Sequence, residues 1–169
     1  LLLRRQRQMC IRDRPKTIFI PDYVQLDQAF GCFLARGLLD VSEDLFIGAC
    51  DNGFDLDMRN FNQLKKSSDV IVFTHTNDLN IKNDPNAHSW LSLEENSSVI
   101  KYLSFKEVIS EDPMRDHATT GMFWFKDSRT FLGFLEKMIF SNDSYDGKFY
   151  IDKLVNYFIN HQFSANILD

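Results

Sequence analysis

The sequence predicts an α/β fold in which a mostly parallel mixed sheet is flanked by helices. Two apolar runs with almost no charge, residues 45–50 and 69–74, have the length and composition of strands buried on both faces. Helical patterns precede and follow the first run, and this alternation favours βαβ units. The 169 residues are enough for one domain with its own core, and the 16 phenylalanines indicate a bulky aromatic interior.

The predicted elements follow one another with short polar connections. The first half has strands over residues 17–20, 45–50 and 69–74 and helices over 25–37 and 57–66. The polar stretch over residues 76–88 is predicted to be a loop. The second half has strands over 89–93, 99–106, 118–125 and 164–168, a helix over 127–140 and another that opens near residue 149.

Composition and charge exclude several classes of function. The net charge of −5 argues against nucleic-acid binding through a basic face. Cys10, Cys32 and Cys50 have no metal-ligand spacing, and their odd number gives no disulfide framework, which fits a reducing cytoplasm. No apolar run approaches the roughly 20 residues of a membrane span. We therefore expect a cytoplasmic protein without nucleic-acid or membrane partners, of undetermined oligomeric state.

The first 14 residues are expected to be foreign to the domain. Their charges follow a short apolar start, which is the wrong order for a signal peptide. The run from Met9 to Arg14 resembles the translation of a transposon-end adapter used in sequencing libraries, and a native basic arm is the alternative. Residues 15–169 are then expected to form a partial domain.

The strongest candidate for a functional residue is Asp51. It ends the apolar run over residues 45–50, and Asn52 and Gly53 complete a turn there. In open α/β sheets, ligands bind at the carboxyl ends of the strands, where this carboxylate is predicted to lie. The structural alternative is that Asp51 caps the helix that starts near Asp57.

Five short motifs, in this order, resemble those of the sugar-phosphate nucleotidyltransferases, a family with a GT-A-like, Rossmann-related fold. They are Gln25-Leu26-Asp27-Gln28-Ala29-Phe30, Gly48-Ala49-Cys50-Asp51-Asn52, Ser104-Phe105-Lys106-Glu107, Thr120-Gly121-Met122-Phe123-Trp124-Phe125 and Lys148-Phe149-Tyr150-Ile151-Asp152. The resemblance covers residues 17–169 and implies a nucleotide-diphospho-sugar transferase-like fold. It also implies an enzyme that joins a nucleoside triphosphate to a sugar 1-phosphate and releases pyrophosphate.

The resemblance assigns roles to single residues. Asp51 and Asp152 would hold Mg²⁺, which takes oxygen ligands and needs only one or two protein carboxylates beside the phosphates. Lys106 would bind the sugar phosphate as a point charge. Gln28 would contact the base, and Asn52 would contact the substrate at the strand end. The backbone around Gly121 would contact the sugar.

Each of these residue types also has a structural interpretation. A carboxylate at a helix start, such as that of Asp152, is often an N-cap. The structural alternatives for the others are a solvated strand end for Lys106, a helix surface for Gln28 and a β-bulge for Gly121.

Two other functions are open. A GT-A glycosyltransferase would use Asp51 and its metal to hold a nucleotide sugar, and a catalytically inactive, nucleotidyltransferase-like regulatory domain is a third possibility. Asp55 and Asp57 form an Asp-x-Asp pair of the kind that glycosyltransferases use. The pair falls where a helix cap is predicted, so we expect it to be structural.

The chain departs from the family pattern in ways that predict an inactive fragment. No glycine-rich triphosphate loop precedes residue 17, and the sequence ends before the closing strands of the family. Gln25 stands where the helix that contacts the base has glycine, and Lys148 stands where an acidic residue is common. We expect the chain to be an internal piece that, on its own, releases no pyrophosphate.

Overall fold

The computed structural model describes residues 27–48 and 55–169. The predicted strand over residues 17–20 and the strand end that carries Asp51 and Asn52 lie outside these residues. The helices are α1 (Gln28–Ala35), α2 (Met58–Leu64), α3 (Leu79–Asn83), α4 (Ser128–Phe140) and α5 (Ile151–Asn160). The strands are β1 (Leu45–Ile47), β2 (Val70–His75), β3 (Trp90–Leu93), β4 (Ile100–Ser104), β5 (His117–Phe125) and β6 (Ala165–Leu168).

The strands form one sheet in the order β4-β3-β5-β2-β6, with β1 also paired to β5. The α/β class, with a mixed sheet flanked by helices, is confirmed. The predicted parallel majority is wrong, since β5 runs antiparallel to β1, β2 and β3, and β3 runs antiparallel to β4. Among the described strand pairs only β2 and β6 are parallel.

The prediction failed because strands that follow one another along the chain were expected to be neighbours in the sheet. β1 and β2 follow one another along the chain and have the same direction, as a βαβ unit requires. They are not neighbours, because β5 lies between them and pairs Phe125 with Leu45 on one edge and with Val70 on the other. The alternation of elements indicated the common direction of β1 and β2, but not the strand inserted between them.

Both faces of the sheet are covered, which explains the nearly continuous apolar sequence of β2. Val70 and Phe125 face the main core, which is shared with α4 and α5. Ile71 and Trp124 face the opposite side and pack with Phe61 of α2. Successive residues of a strand point to opposite faces, so a sheet buried on both sides needs apolar residues at every position.

Aspartates fix the starts of the predicted helices. Asp57 accepts a hydrogen bond from the Arg59 backbone N–H at 2.9 Å, and Asp127 accepts one from that of Arg129 at 3.0 Å. The predicted helices over residues 57–66 and 127–140 are confirmed as α2 and α4. Because Asp57 caps its own helix, α2 has no need of Asp51 as a cap.

The stretch over residues 76–88 was predicted to be a loop, but it contains a short helix. Asp78 accepts a hydrogen bond from the Asn80 backbone N–H at 2.7 Å and so starts the short helix α3. A 3₁₀ turn, Pro85–Ala87, follows it. The asparagines and aspartates of this stretch suggested a loop, but one of them is an N-cap.

No helix within residues 27–48 and 55–169 is both long and apolar enough to cross a membrane.

Candidate functional site

A cleft of about 900 Å³ lies where several strands and helices begin or end. It is lined by four of the residues singled out from the sequence: Gln28, Lys106, Gly121 and Asp152. Asp51 and Asn52 lie outside the described residues, but Gly48 of the same motif also lines the cleft. The fold therefore brings together residues from α1, from the end of β1, from β5, from α5 and from the segment after β4.

Asp152 is the acidic centre of the cleft. Its side chain is only 9% exposed, and its Oδ1 accepts a hydrogen bond from Thr119 Oγ1 at 2.7 Å. Burial raises the pKa of this carboxyl, and the Thr119 and Ser89 hydroxyls and the Lys106 charge offset that rise only in part. A buried carboxylate among hydroxyl oxygens is a set of hard donors that suits a divalent cation.

The N-cap interpretation of Asp152 is wrong. Tyr150 is the N-cap residue of α5, and its side chain makes no capping hydrogen bond. Asp152 lies within the first turn of the helix, where a negative charge is favoured by the helix dipole. Its side chain points toward β5 and Thr119 rather than back to the helix end.

Lys106 lies two residues beyond the end of β4, on the cleft wall. Its backbone has a φ of 56°, in the left-handed region that non-glycine residues seldom occupy. The adjoining turn is closed by Ser104 Oγ, which donates to the Glu107 carbonyl at 2.7 Å. Lys106 is half-buried rather than fully exposed.

Gln28 and Gly121 are in direct contact. Gln28 Nε2 donates a hydrogen bond to the Gly121 carbonyl oxygen at 3.0 Å, although Gln28 is exposed on the helix surface. Gly121 has a φ of 76°, and the pairing of β2 with β5 shifts register between Val72 and Thr74. Gly121 is therefore both part of a β-bulge and part of the cleft wall, because a bulge re-aims the backbone at such sites.

Sequence reasoning missed the partners of Asp152 and a pair of histidines. Ser89 and Thr119 are far from Asp152 along the chain, and no spacing rule connects hydroxyl residues with a distant carboxylate.

His75 and His88 both line the cleft, with ring centroids 5.5 Å apart. Burial lowers the pKa of His75, although Asp78 opposes that shift. His75 stands at the end of β2, so the strand-end argument used for Asp51 would have found it.

Asp27 joins two parts of the cleft wall. Its Oδ1 accepts the Phe30 backbone N–H at 2.7 Å and so caps α1. Its Oδ2 accepts the Phe149 backbone N–H at 2.7 Å, just before the helix that carries Asp152. One carboxylate therefore holds the start of α1, where Gln28 lies, against the start of α5.

Replacing Asp27 by alanine is expected to destabilise the fold by about 2–3 kcal/mol, because it removes a helix cap and leaves the Phe149 N–H without its acceptor. Asp57→Ala is the matched control, since Asp57 only caps α2, and it should cost about 1 kcal/mol. Urea unfolding of both variants measures the difference. Equal losses would contradict the joining role of Asp27.

Comparison with known proteins supports the fold. No protein-family model and no curated protein sequence matches the chain. A nucleoside-diphosphate-sugar pyrophosphorylase from Vibrio cholerae RC9 has a similar structure, with a TM-score of 0.59 and 18% identity over 79% of this chain and 51% of that one. The inositol-1-phosphate CTP transferase from T. maritima gives a TM-score of 0.55 and 15% identity over 85% of this chain and 52% of that one.

A third similar structure is HddC from Yersinia pseudotuberculosis, complexed with GMP-PN. It gives a TM-score of 0.52 and 12% identity over 99% of this chain and 64% of that one. The chain thus spans between about half and two thirds of the length of these structures. The similarity establishes a nucleotidyltransferase-like fold.

Proposed function

We propose that the chain is part of a sugar-1-phosphate nucleotidyltransferase, which converts a nucleoside triphosphate and a sugar 1-phosphate to a nucleoside-diphosphate sugar and pyrophosphate. The observation that carries this proposal is the meeting of the buried Asp152 carboxylate and the Lys106 side chain in one large cleft. The nucleotidyltransferase-like fold supports it. In the reaction, a phosphate oxygen of the sugar phosphate attacks the α-phosphorus, and the bond to the β-phosphate oxygen breaks.

The described residues fit Mg²⁺ as the cofactor. Asp152 offers a carboxylate beside the Thr119 and Ser89 hydroxyls, which are oxygen donors of the kind that Mg²⁺ takes. No group of three or more histidine, cysteine, aspartate or glutamate side chains suited to a metal occurs among residues 27–48 and 55–169. We infer that Asp152 shares the ion with Asp51 and with substrate phosphates, and that the bound ion offsets negative charge on the α-phosphate.

The other residues bind and orient the substrates. Lys106 supplies the positive charge that attracts the sugar phosphate, and the backbone at Gly121 borders the sugar. Gln28 holds Gly121 through its hydrogen bond and lies on the base side of the cleft, with Asn52 as a further substrate contact. No side chain is needed as a nucleophile, because phosphoryl chemistry of this kind depends on positioning and charge stabilisation.

The described residues give the glycosyltransferase alternative no support at its Asp-x-Asp pair. That alternative would hold its metal with Asp51, which lies outside the described residues, and the Asp-x-Asp pair of Asp55 and Asp57 is a second motif of the kind that glycosyltransferases use. The Asp57 carboxylate caps α2 and accepts hydrogen bonds from two backbone N–H groups. Because Asp57 already serves as a helix cap, no observation favours a metal site at this pair.

Pyrophosphate release tests the proposed function. The protein, with any coding sequence that flanks this chain, is incubated with each nucleoside triphosphate and a panel of sugar 1-phosphates. We expect release that needs Mg²⁺ and both substrates and that stops with EDTA. The control offers nucleotide sugars and acceptor sugars instead. Nucleoside diphosphate release in that control, with no pyrophosphate in the first assay, would contradict the proposal in favour of a glycosyltransferase.

A further inference from the structure

The Lys106 ammonium is surrounded by three aromatic rings. Its Nζ lies 5.7 Å from the ring centroid of Phe105, 5.5 Å from that of Tyr145 and 4.9 Å from that of Tyr150. All three distances are within the roughly 6 Å at which a cation is attracted to the face of a ring. We call these three residues the aromatic cage.

The rings of the cage also pack on one another. The centroid of Phe105 is 5.1 Å from that of Tyr145 and 4.8 Å from that of Tyr150, at interplanar angles of 67° and 52°. Such tilted arrangements are the favoured geometry of aromatic pairs. Phe105 therefore packs against both tyrosine rings of the cage.

The cage connects two parts of the chain that both contribute to the cleft. Phe105 precedes Lys106, whereas Tyr150 is the N-cap residue of α5, the helix that carries Asp152. Tyr145 lies in the preceding turn, which is closed by its backbone hydrogen bonds with Lys148 at 2.8 and 3.0 Å. The segment that carries the cation and the segment that carries the buried carboxylate are thus held together by the three rings.

We propose that Phe105, Tyr145 and Tyr150 are positioning residues that hold the Lys106 ammonium at the cleft wall, ready for a phosphate group. This inference rests on the proposed function for its ligand, but the cage itself is testable without any ligand. A lysine on a flexible stem loses considerable rotamer freedom when it binds an anion. A lysine already held by the cage loses less, so we expect removal of one ring to weaken phosphate binding about fivefold.

The experiment uses NMR of the protein with ¹³Cε-labelled lysine, and its probe is inorganic phosphate. The Lys106 signal is assigned by its absence in Lys106→Arg. Rings close to the Nζ should shift the neighbouring Hε protons upfield of those of exposed lysines. In Tyr145→Leu and Tyr150→Leu we expect that shift to shrink and the phosphate Kd, read from the same signal, to rise about fivefold.

Matched variants separate the ring from other effects. Tyr145→Phe keeps the ring and should keep both the Hε shift and the phosphate Kd. Tyr145 is 48% exposed, so its replacement is expected to leave the fold intact. Tyr102→Leu is the control outside the cage, since Tyr102 is an exposed residue of β4. The Lys137 signal, from a lysine over the Tyr157 ring at 5.9 Å, should stay fixed in every variant.

The outcomes distinguish this inference from the proposed function. A Lys106 Hε signal at the position of exposed lysines, or one that Tyr145→Leu and Tyr150→Leu leave unmoved, would overturn the cage. An unchanged or tighter phosphate Kd in both leucine variants would overturn its positioning role. If the Hε shift behaves as expected while phosphate never perturbs Lys106, the cage stands and the role of Lys106 in the proposed function fails.

Discussion

Asp152→Asn is expected to lower Mg²⁺-dependent pyrophosphate release about a thousandfold, because the variant loses the charge that we propose to hold the cation. The amide keeps nearly the same size and can still accept the hydrogen bond from Thr119 Oγ1. The loss therefore reports the charge rather than the packing. The assay is pyrophosphate release in the protein that includes any flanking coding sequence. An unchanged rate would remove Asp152 from the site.

The same substitution is expected to stabilise the protein when Mg²⁺ is absent. Burial raises the pKa of Asp152 above its value in the unfolded chain, which is about 3.9. Between these two pKa values the folded protein binds more protons than the unfolded chain, so the free energy of unfolding falls as the pH rises. Asparagine removes this dependence, and the advantage of the variant over the wild type should grow with pH across that window.

Thermal unfolding across pH, with and without Mg²⁺, measures this effect in the 169-residue chain. Mg²⁺ should raise the unfolding temperature of the wild type but not that of Asp152→Asn. Asp44→Asn is the control with the opposite sign, because hydrogen bonds from Lys65 and Trp124 lower the pKa of Asp44. The Asp44→Asn variant should be less stable than the wild type at pH values above the pKa of Asp44 in the unfolded chain. This loss of stability should vanish as the pH falls. A destabilised Asp152→Asn would contradict the prediction.

Phe125→Ala is expected to cause the largest loss of stability, about 3–5 kcal/mol, or a fall of about 6–20 °C in Tm. The Phe125 side chain is fully buried, and its ring centroid lies 4.7 Å from that of Phe131 and 5.3 Å from that of Phe158. The substitution would leave a cavity between β5 and the two helices of the main core. Urea unfolding and calorimetry measure the change.

The matched control is Phe140→Ala at the end of α4. Its side chain is 77% exposed, so little apolar surface returns to water when it is removed. We expect a change within about 0.5 kcal/mol. If Phe125→Ala costs no more than Phe140→Ala, then β5 does not lie between β1 and β2 against the main core.

Local chemistry explains which elements were predictable. Asp57 and Asp127 begin α2 and α4, as expected from cap residues placed before apolar periodic stretches. The pairing of β5 with both β1 and β2 was not predictable, because nothing in a strand's own sequence specifies which distant strand it joins. The relative directions of the strands were therefore predicted wrongly, although the strands within the described residues were predicted correctly.

The candidate site shows the same division. Gln28, Lys106, Gly121 and Asp152 were singled out from motif order, and they line one cleft. The hydroxyls of Ser89 and Thr119 were missed, because only the folded chain brings them to Asp152. The roles of these four residues in binding and catalysis stay predictions.

The cleft exists because one edge of β5 is shared by two short strands. Ile47 of β1 pairs with Phe123 of β5, and Trp90 of β3 pairs with Ala118 of β5. Residues 119–121, which line the cleft, fall between these two pairings. The length of β5 that borders the cleft is thus set by how far β1 and β3 extend along it. Lengthening either strand by one pair would shorten the stretch of β5 that lies open at the cleft wall.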